Sequence, residues 1–270
     1  MKKILIVTDL DGTLIDSRSY SFTAARPALK LIRELKIPLI FCSSKSRAEI
    51  EVYRKKLKNH HPFISENGGG IFIPHEYFSF PVNAERHGEY NRIILGRPYD
   101  EIRNQFMALR EKMEVKVKGF GDMNAKEIAR LTGLTTTEAV LAGKRDFAEP
   151  FIFQDETDAA FLQSIEQAGL HWTQGLLYHI MGNHDKGQAF DMLKAFYQQA
   201  GGILQTIGLG DSLNDLPLLK RMDHPVLIRH ENGHHDTRIK IPALLKTESS
   251  GSAGWNEAVM FLLKEILSGN

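Results

Sequence analysis

The sequence predicts a doubly wound α/β protein, a mostly parallel sheet core wrapped by helices and interrupted by an inserted α+β unit. Three observations predict it. Strand and helix signals alternate from the N-terminus, as in a parallel sheet with helical crossovers. Two short buried runs far apart in the chain each end in a group of acids, Asp9-Leu10-Asp11 and Asp211-Ser212-Leu213-Asn214-Asp215. The pattern between them changes style and then reverts, which divides the chain into core 1–83, insertion 84–181 and core 182–270.

Taken in order, residues 4–7 form an apolar strand closed by a turn at Asp11-Gly12. Pro27 opens a helix in which Leu31, Ile32 and Leu35 recur at helical spacing. "IPLIFCSS" (37–44) is a second buried strand. Ser46 and Glu49 make a capping box for a helix with Ile50, Tyr53 and Leu57 on one face. "PFISENGGGIFIP" (62–74) reads as strand, Gly-rich turn and strand. The middle predicts a strand "RIILG", a helix from about 98 to 112, a strand "EVKVKGF", and two short helices at "NAKEIARLTG" and "TTTEAVLAGK". A strand "EPFIFQ", a helix "DAAFLQSIEQAG" and a strand through "LLYHIM" complete it. The first style returns with a helix "GQAFDMLKAFYQQAG", a strand "ILQTIGLG", an Asp-rich turn, a strand "PVLI" and a C-terminal helix.

Composition narrows the function classes. A net charge of +1 over 270 residues provides no global field toward nucleic acid or anionic membrane. The densest basic run, Arg54-Lys55-Lys56 with Lys58, lies at a helix end, where cations suit the dipole and face solvent. Met1-Lys2-Lys3 resembles the start of a signal peptide, but the apolar run behind it is too short for one. No stretch approaches the ~20 apolar residues of a membrane span. The single cysteine, Cys42, excludes an internal disulfide and fits a reducing compartment, so a cytoplasmic location is expected.

Acids at the carboxyl ends of two neighbouring parallel strands converge on one point, where open α/β sheets bind ligands. Such a cluster suits a hard, oxygen-liking cation, Mg²⁺ above all. An EF-hand is excluded, since Gly stands fourth from Asp9 rather than sixth and Leu213 stands third from Asp211. With a cation present, Asp9 is placed to attack phosphorus and Asp11 to pass a proton to and from the leaving oxygen. Carboxylate and phosphate dianion repel by roughly 8 kcal/mol at ~4 Å and an effective dielectric of about 20. Left unscreened, that is worth about six powers of ten in rate. Lys186, opening a helix, supplies a further positive charge, and Ser43 a hydroxyl for a phosphoryl oxygen; alone, each reads as a surface lysine and a turn serine.

These pieces, in this order, resemble the haloacid dehalogenase-type phosphatases: Asp9-Leu10-Asp11-Gly12-Thr13, then Ser43, then Lys186, then Gly210-Asp211-Ser212-Leu213-Asn214-Asp215. The resemblance implies a Rossmann-like core with a cap inserted between Ser43 and Lys186. It implies Asp9 as nucleophile, Asp11 as general acid/base, and Ser43 and Lys186 as phosphate-binding partners. Mg²⁺ would be held by Asp9, the backbone carbonyl of Asp11, and Asp211, with Asp215 and Asn214 positioning water, loop or phosphate. "YSFTAARPAL", "PLIFCSSKSRAEIE", "PFISENGGGIFIP", "GFGDMNAKEIARLTGL" and "GLGDSLNDLPLL" are similar, over nearly the whole chain, to the mannosyl-3-phosphoglycerate phosphatase family. Members of that family release phosphate to leave mannosylglycerate, a compatible solute. Leu213 and Ser46 depart from the pattern, where relatives commonly carry Pro and Thr.

A phosphoglycerate brings a carboxylate beside its phosphate. Ser44, Lys45 and Arg47 at the capped helix start are candidates to receive it, unless the two cations simply face solvent. Asn67, with the backbone of Gly68 and Gly69, either approaches a sugar or forms only a turn. Arg145 and Glu149 are the candidates from the insertion, as ligands or as a surface pair, and His179 lies at the return to the core as a hinge. "HENGH" (230–234) matches a zinc pattern, but Asn232-Gly233 breaks the helix that pattern requires. Trp172 and Trp255 read as core or cap anchors rather than substrate platforms. A small phosphorylated sugar or glycerate is therefore the expected partner, without nucleic acid or membrane. A phosphomutase of the same fold and a non-catalytic sugar-phosphate sensor are the alternatives, and mannosyl and glucosyl substrates stay open.

Overall fold

The computed structural model describes residues 3–202 and 204–268. Met1, Lys2 and Ile203, which the sequence assigns to the basic start and to the head of a strand, lie outside the described residues.

In chain order the elements are β1 (Lys3–Thr8), α1 (Arg26–Glu34), β2 (Leu39–Cys42), α2 (Arg47–Leu57), β3 (Phe63–Ser65), β4 (Gly70–Pro74), β5 (Glu85–His87) and β6 (Tyr90–Ile94). Next come α3 (Tyr99–Met113), β7 (Val117–Gly119), α4 (Ala125–Thr132), α5 (Thr136–Ala142), β8 (Ala148–Phe153), α6 (Ala159–Gln167), β9 (His171–Gln174) and β10 (Tyr178–Met181). The chain ends with α7 (Lys186–Gly201), β11 (Leu204–Gly210), α8 (Leu216–Leu219), β12 (His224–Arg229), β13 (Leu245–Ser250) and α9 (Gly251–Ser268).

Nine strands form the large sheet, in the order β13-β12-β11-β1-β2-β3-β4-β6-β5. The six from β13 to β3 are parallel and the remainder antiparallel. Period two decides which helices cover which face. Ile4 and Ile6 of β1 pack under α1, α2 and α9, while Leu5 and Val7 pack on the other face against Phe190, Leu193 and Leu218 of α7 and α8. The chain winds outward from β1 to β2 and β3, then returns to lay β11 on its other side. The crevice at the carboxyl ends of β1 and β11 is thus a topological switch point.

The second sheet, β7-β8-β10-β9, is fully antiparallel. α3 and α6 bury Ile102, Phe106, Phe161 and Ile165 on one face of it. The helical pair α4–α5 packs Ile128, Leu134 and Ala139 against Phe120 and Leu177. β5 and β6, whose residues the sequence places in the insertion, instead hydrogen-bond onto β4 at the edge of the large sheet, because an antiparallel hairpin extends that edge without a crossover. β5, β9 and β13 have no counterpart in the sequence-based element list. Both anchors behave as expected: Trp255 is wholly buried and donates from Nε1 to Thr8, and half-buried Trp172 donates to Glu166.

Arg54 corrects the reading of its basic run. It is buried, donates to Tyr90 Oη and the His61 carbonyl, and its guanidinium lies 4.8 Å from the Phe63 ring centroid. Arginine's planar, weakly hydrated head suits that aromatic sandwich, which helix position alone does not disclose. Lys55, Lys56 and Lys58 are exposed. Among the described residues no helix is long and apolar enough to cross a membrane.

Candidate active site

A cavity of about 290 Å³ opens between the two sheets. Its floor carries Asp9, Asp11, Ser44, Lys45, Asp211, Ser212, Asn214 and His230 from the large-sheet side. Its roof carries Phe120, Leu134, Arg145, Pro150, Leu177 and His179 from the insertion. A larger cleft of about 400 Å³, between α1 and α2 on the core, contains no carboxylate.

Asp9 directly follows β1, and its backbone N–H donates to the Leu209 carbonyl of β11, so the first acid is locked to the strand that delivers the second group. Gly12 takes a φ of +74°, a left-handed turn that bends the chain back beneath Asp211. β11 ends at Gly210. Asp215 then folds back to accept from the backbone N–H groups of Asp211 and Ser212 at 3.0 and 3.1 Å. Thr13 Oγ1 donates to Asp211 Oδ1 at 3.2 Å, and His230 Nε2 lies 2.8 Å from the Asp211 carbonyl.

Lys186, at the first turn of α7 and fully buried, donates to Asp9 Oδ1 and Asp215 Oδ1, each at 2.6 Å. Burial pushes the Asp9 carboxyl well above its ordinary range, with Asp215 and Asp211 adding to the rise and Lys186 opposing it. Asp215 is raised for the same first reason. Burial disfavours the Lys186 ammonium too, but the two carboxylates outweigh it and hold the proton on nitrogen.

Asp9, Asp211 and Asp215 each bring one oxygen within 4.8 Å of the others. All donors are carboxylate oxygens, the donor set of a hard divalent cation rather than a soft one. The Asp11 carboxylate stands outside this group. Its Oδ2 pairs with Lys45 at 2.9 Å, its Oδ1 has no hydrogen-bond partner among the described residues, and the side chain is 37% exposed. Desolvation raises the Asp11 pKa, and Lys45 restrains that rise.

The other candidates divide. Ser44, Lys45, Arg145 and Asn214 reach the cavity. Lys45 is nonetheless already shared between Asp11 and Glu49, at 2.9 and 3.1 Å. Arg145 is buried, donates to the Ser44 carbonyl at 2.9 Å, and lies 3.9 Å from Glu49 and 3.3 Å from Glu66. Ser43 is wholly buried beside Asp9's strand and accepts from the Lys45 backbone N–H. Arg47 corrects the expectation: it pairs with Glu51 along α2 and does not line the cavity. Gly68 and Gly69 correct it as well. Gly69 packs on Phe147, its N–H donates to the Glu66 carbonyl and its own carbonyl accepts from Leu95 and Gly96, while Gly68 abuts the Asp185 carbonyl; neither lines the cavity. Asn67 accepts from Asn214 Nδ2 at 3.1 Å and so braces the acid loop rather than facing the cavity. Glu149 is wholly buried inside the insertion, accepting from Tyr99, Arg103 and Gly121.

Sequence reasoning missed Tyr20, Ser212, Leu176 and Pro150 in the cavity wall; Tyr20 and Ser212 stand inside the family-like segments, but nothing in their residue type marked them as cavity residues. It noticed His230 only inside the rejected zinc pattern. Residues 230–234 do form a turn, closed by the His230 N–H on the His234 carbonyl.

The family model for haloacid dehalogenase-like hydrolases matches residues 6–81. A Thermoplasma acidophilum protein of known crystal structure superposes with a TM-score of 0.70 at 16% identity, covering 97% of this chain and 99% of that one. Fold and site together define a haloacid dehalogenase-like hydrolase. A glucosyl-3-phosphoglycerate/mannosyl-3-phosphoglycerate phosphatase from Methanococcoides burtonii is 46% identical over 265 residues, 97% of each chain. One from Persephonella marina is 43% identical over 270 residues, covering 98% of this chain and 99% of its own. The chain belongs to the glucosyl-3-phosphoglycerate/mannosyl-3-phosphoglycerate phosphatase family.

Proposed function

We propose that this protein hydrolyses mannosyl- and glucosyl-3-phosphoglycerate with Mg²⁺, releasing phosphate through an aspartyl-phosphate on Asp9. The observation that carries the reading is Lys186 bridging Asp9 and Asp215 at 2.6 Å, buried beneath a cavity whose floor carries Asp9, Asp11 and Asp211. The names of the two relatives supply the substrate class.

Asp9 Oδ1 is fixed by Lys186, which keeps the carboxylate oriented and favours its charged form. Asp9, the Asp11 carbonyl and Asp211 would hold Mg²⁺, with Asp215 behind them; once bound, it offsets the repulsion between carboxylate and phosphate. Asp11, raised by desolvation, carries the proton the leaving alkoxide needs, then takes one from the water that cleaves the acyl phosphate. Lys45 holds Asp11 in place. Arg145 in the roof, beside Ser44, is the cation for the glycerate carboxylate. The unit built on β7-β8-β10-β9 acts as a cap that excludes water. The lone, wholly buried Cys42, its thiol pushed up by burial, supports a reducing, cytoplasmic setting.

Phosphate release is measured across mannosyl- and glucosyl-3-phosphoglycerate and simple hexose phosphates, with Mg²⁺ and no bisphosphate activator. The glycosyl-phosphoglycerates are expected to lead, and a wide margin for hexose phosphates would refute the substrate. Asp11→Asn is expected to bind substrate yet lose turnover by at least about 10²-fold. An unchanged rate would refute the proton carrier.

A further inference from the structure

The cap wall above the acids is mostly apolar: Phe120, Leu134, Pro150 and Leu177. His179 of β10 interrupts it. Its side chain is only 6% exposed and lines the cavity. Its Nδ1 is buried without a hydrogen-bond partner, and among the described residues neither ring nitrogen makes a hydrogen bond. β10 pairs His179 with Pro150 on one side and Thr173 on the other, so the ring's position is set by a strand in the middle of the cap sheet. A hinge residue needs no such placement, and a buried polar ring with no partner weakens the fold unless a ligand completes it.

The charge state narrows the ligand. Burial pushes the imidazole down to about 3, with the Arg145 and Lys186 cations adding to the fall, so the ring is neutral in use. Neutral imidazole offers one donor and one acceptor, which matches a hydroxyl group and serves a phosphate or carboxylate poorly. Positive charge for the anionic parts of a ligand is already at hand, since Lys45 and Arg145 line the cavity and Lys186 lies buried beneath Asp9. We infer that His179 hydrogen-bonds a hydroxyl on the leaving group of the phosphoester and is a specificity-determining residue for polyol-bearing substrates. The inference rests on the phosphatase reading above.

The test compares kcat/KM on a glycosyl-3-phosphoglycerate with kcat/KM on p-nitrophenyl phosphate, whose leaving group presents no additional hydroxyl. Wild type, His179→Phe and His179→Gln are measured side by side. His179→Phe is expected to shift the ratio of the two values by about tenfold against the sugar ester, the loss of one neutral hydrogen bond. His179→Gln, which keeps a donor and an acceptor, is expected to recover most of it. Equal losses on both esters, or no shift in the ratio, would overturn the assignment. The wild-type rates report separately on the function. Preference for another sugar phosphate would remove the glycerate substrate, and the same ratio is then read with that sugar. A wild type inert toward every phosphoester would remove both proposals.

Discussion

Replacing Lys186 with Met tests the electrostatic design of the site. The ammonium is fully buried and touches Asp9 and Asp215 at 2.6 Å each, with Asp211 completing a trio whose oxygens lie within 4.8 Å of one another. At an effective dielectric of about 20, two unit charges 4.8 Å apart repel by roughly 3.5 kcal/mol, and each 2.6 Å contact returns roughly 6 kcal/mol. These gross terms largely cancel against desolvation, and removing one partner of a buried pair costs about 3–5 kcal/mol net. Against a total stability of about 5–15 kcal/mol, that is a severe loss.

Urea unfolding with metal chelated is the assay, first near neutral pH and then in acid. Burial already raises the Asp9 and Asp215 carboxyls, and without the ammonium they rise further. The deficit of Lys186→Met is therefore full where wild-type carboxylates are ionised and shrinks as pH falls and the variant's acids take up protons. Excess Mg²⁺ is expected to recover part of the loss, since it compensates the same oxygens. A variant that unfolds at the wild-type urea concentration without metal would refute the idea that this lysine holds the acids together.

Two further substitutions probe the frame around the site. His184, buried at the return from cap to core with Nε2 3.2 Å from the Glu66 carbonyl, is pushed down to about 4, chiefly by burial. Its folded value lies below its unfolded one, so its stabilising contribution is complete above the unfolded value of about 6.5 and is lost as pH falls toward 4. The stability of wild type relative to His184→Asn should therefore fall by about 2 kcal/mol between roughly pH 7.5 and 5; a constant difference would contradict it. Gly68 has a φ of +103° and lies against the Asp185 carbonyl. Gly68→Ala should cost ~2 kcal/mol or more and, by displacing the start of α7, lower kcat as well; a wild-type melting temperature would refute the close approach.

The core was legible because its signals are local. The unbroken apolar run Ile4–Val7 marked a buried strand, which β1 is, and the Ser46–Glu49 capping box forms as the spacing predicts. The acids were legible because a switch point makes two distant strand ends adjacent, a consequence of topology that motif order carries. β13 escaped notice because "LKTESS" is a polar, half-exposed edge strand without an apolar run. The Gly-rich turn misled because its glycines answer to Phe147 and Asp185, partners far along the chain that no local pattern reveals. The surroundings of Lys45 were equally hidden. A lysine at a capped helix start looks free until Asp11 and Glu49 are seen on either side of it.

Asp11, Lys45, Glu49, Arg145 and Glu66 form a continuous row of alternating charge from the reaction centre into the segment that bears the roof, with contacts of 2.9, 3.1, 3.9 and 3.3 Å. Glu66 closes the row by accepting from the Asp146 and Phe147 backbone N–H groups. Because each link is the counterion of the next, exchanging any one for a neutral residue strands its neighbour in a poorly hydrated place. These five positions therefore depend on one another for stability. Neutralising Glu49 is expected to be tolerated only with a matching change at Lys45 or Arg145, and a foreign roof grafted onto this core is expected to need both ends of the row.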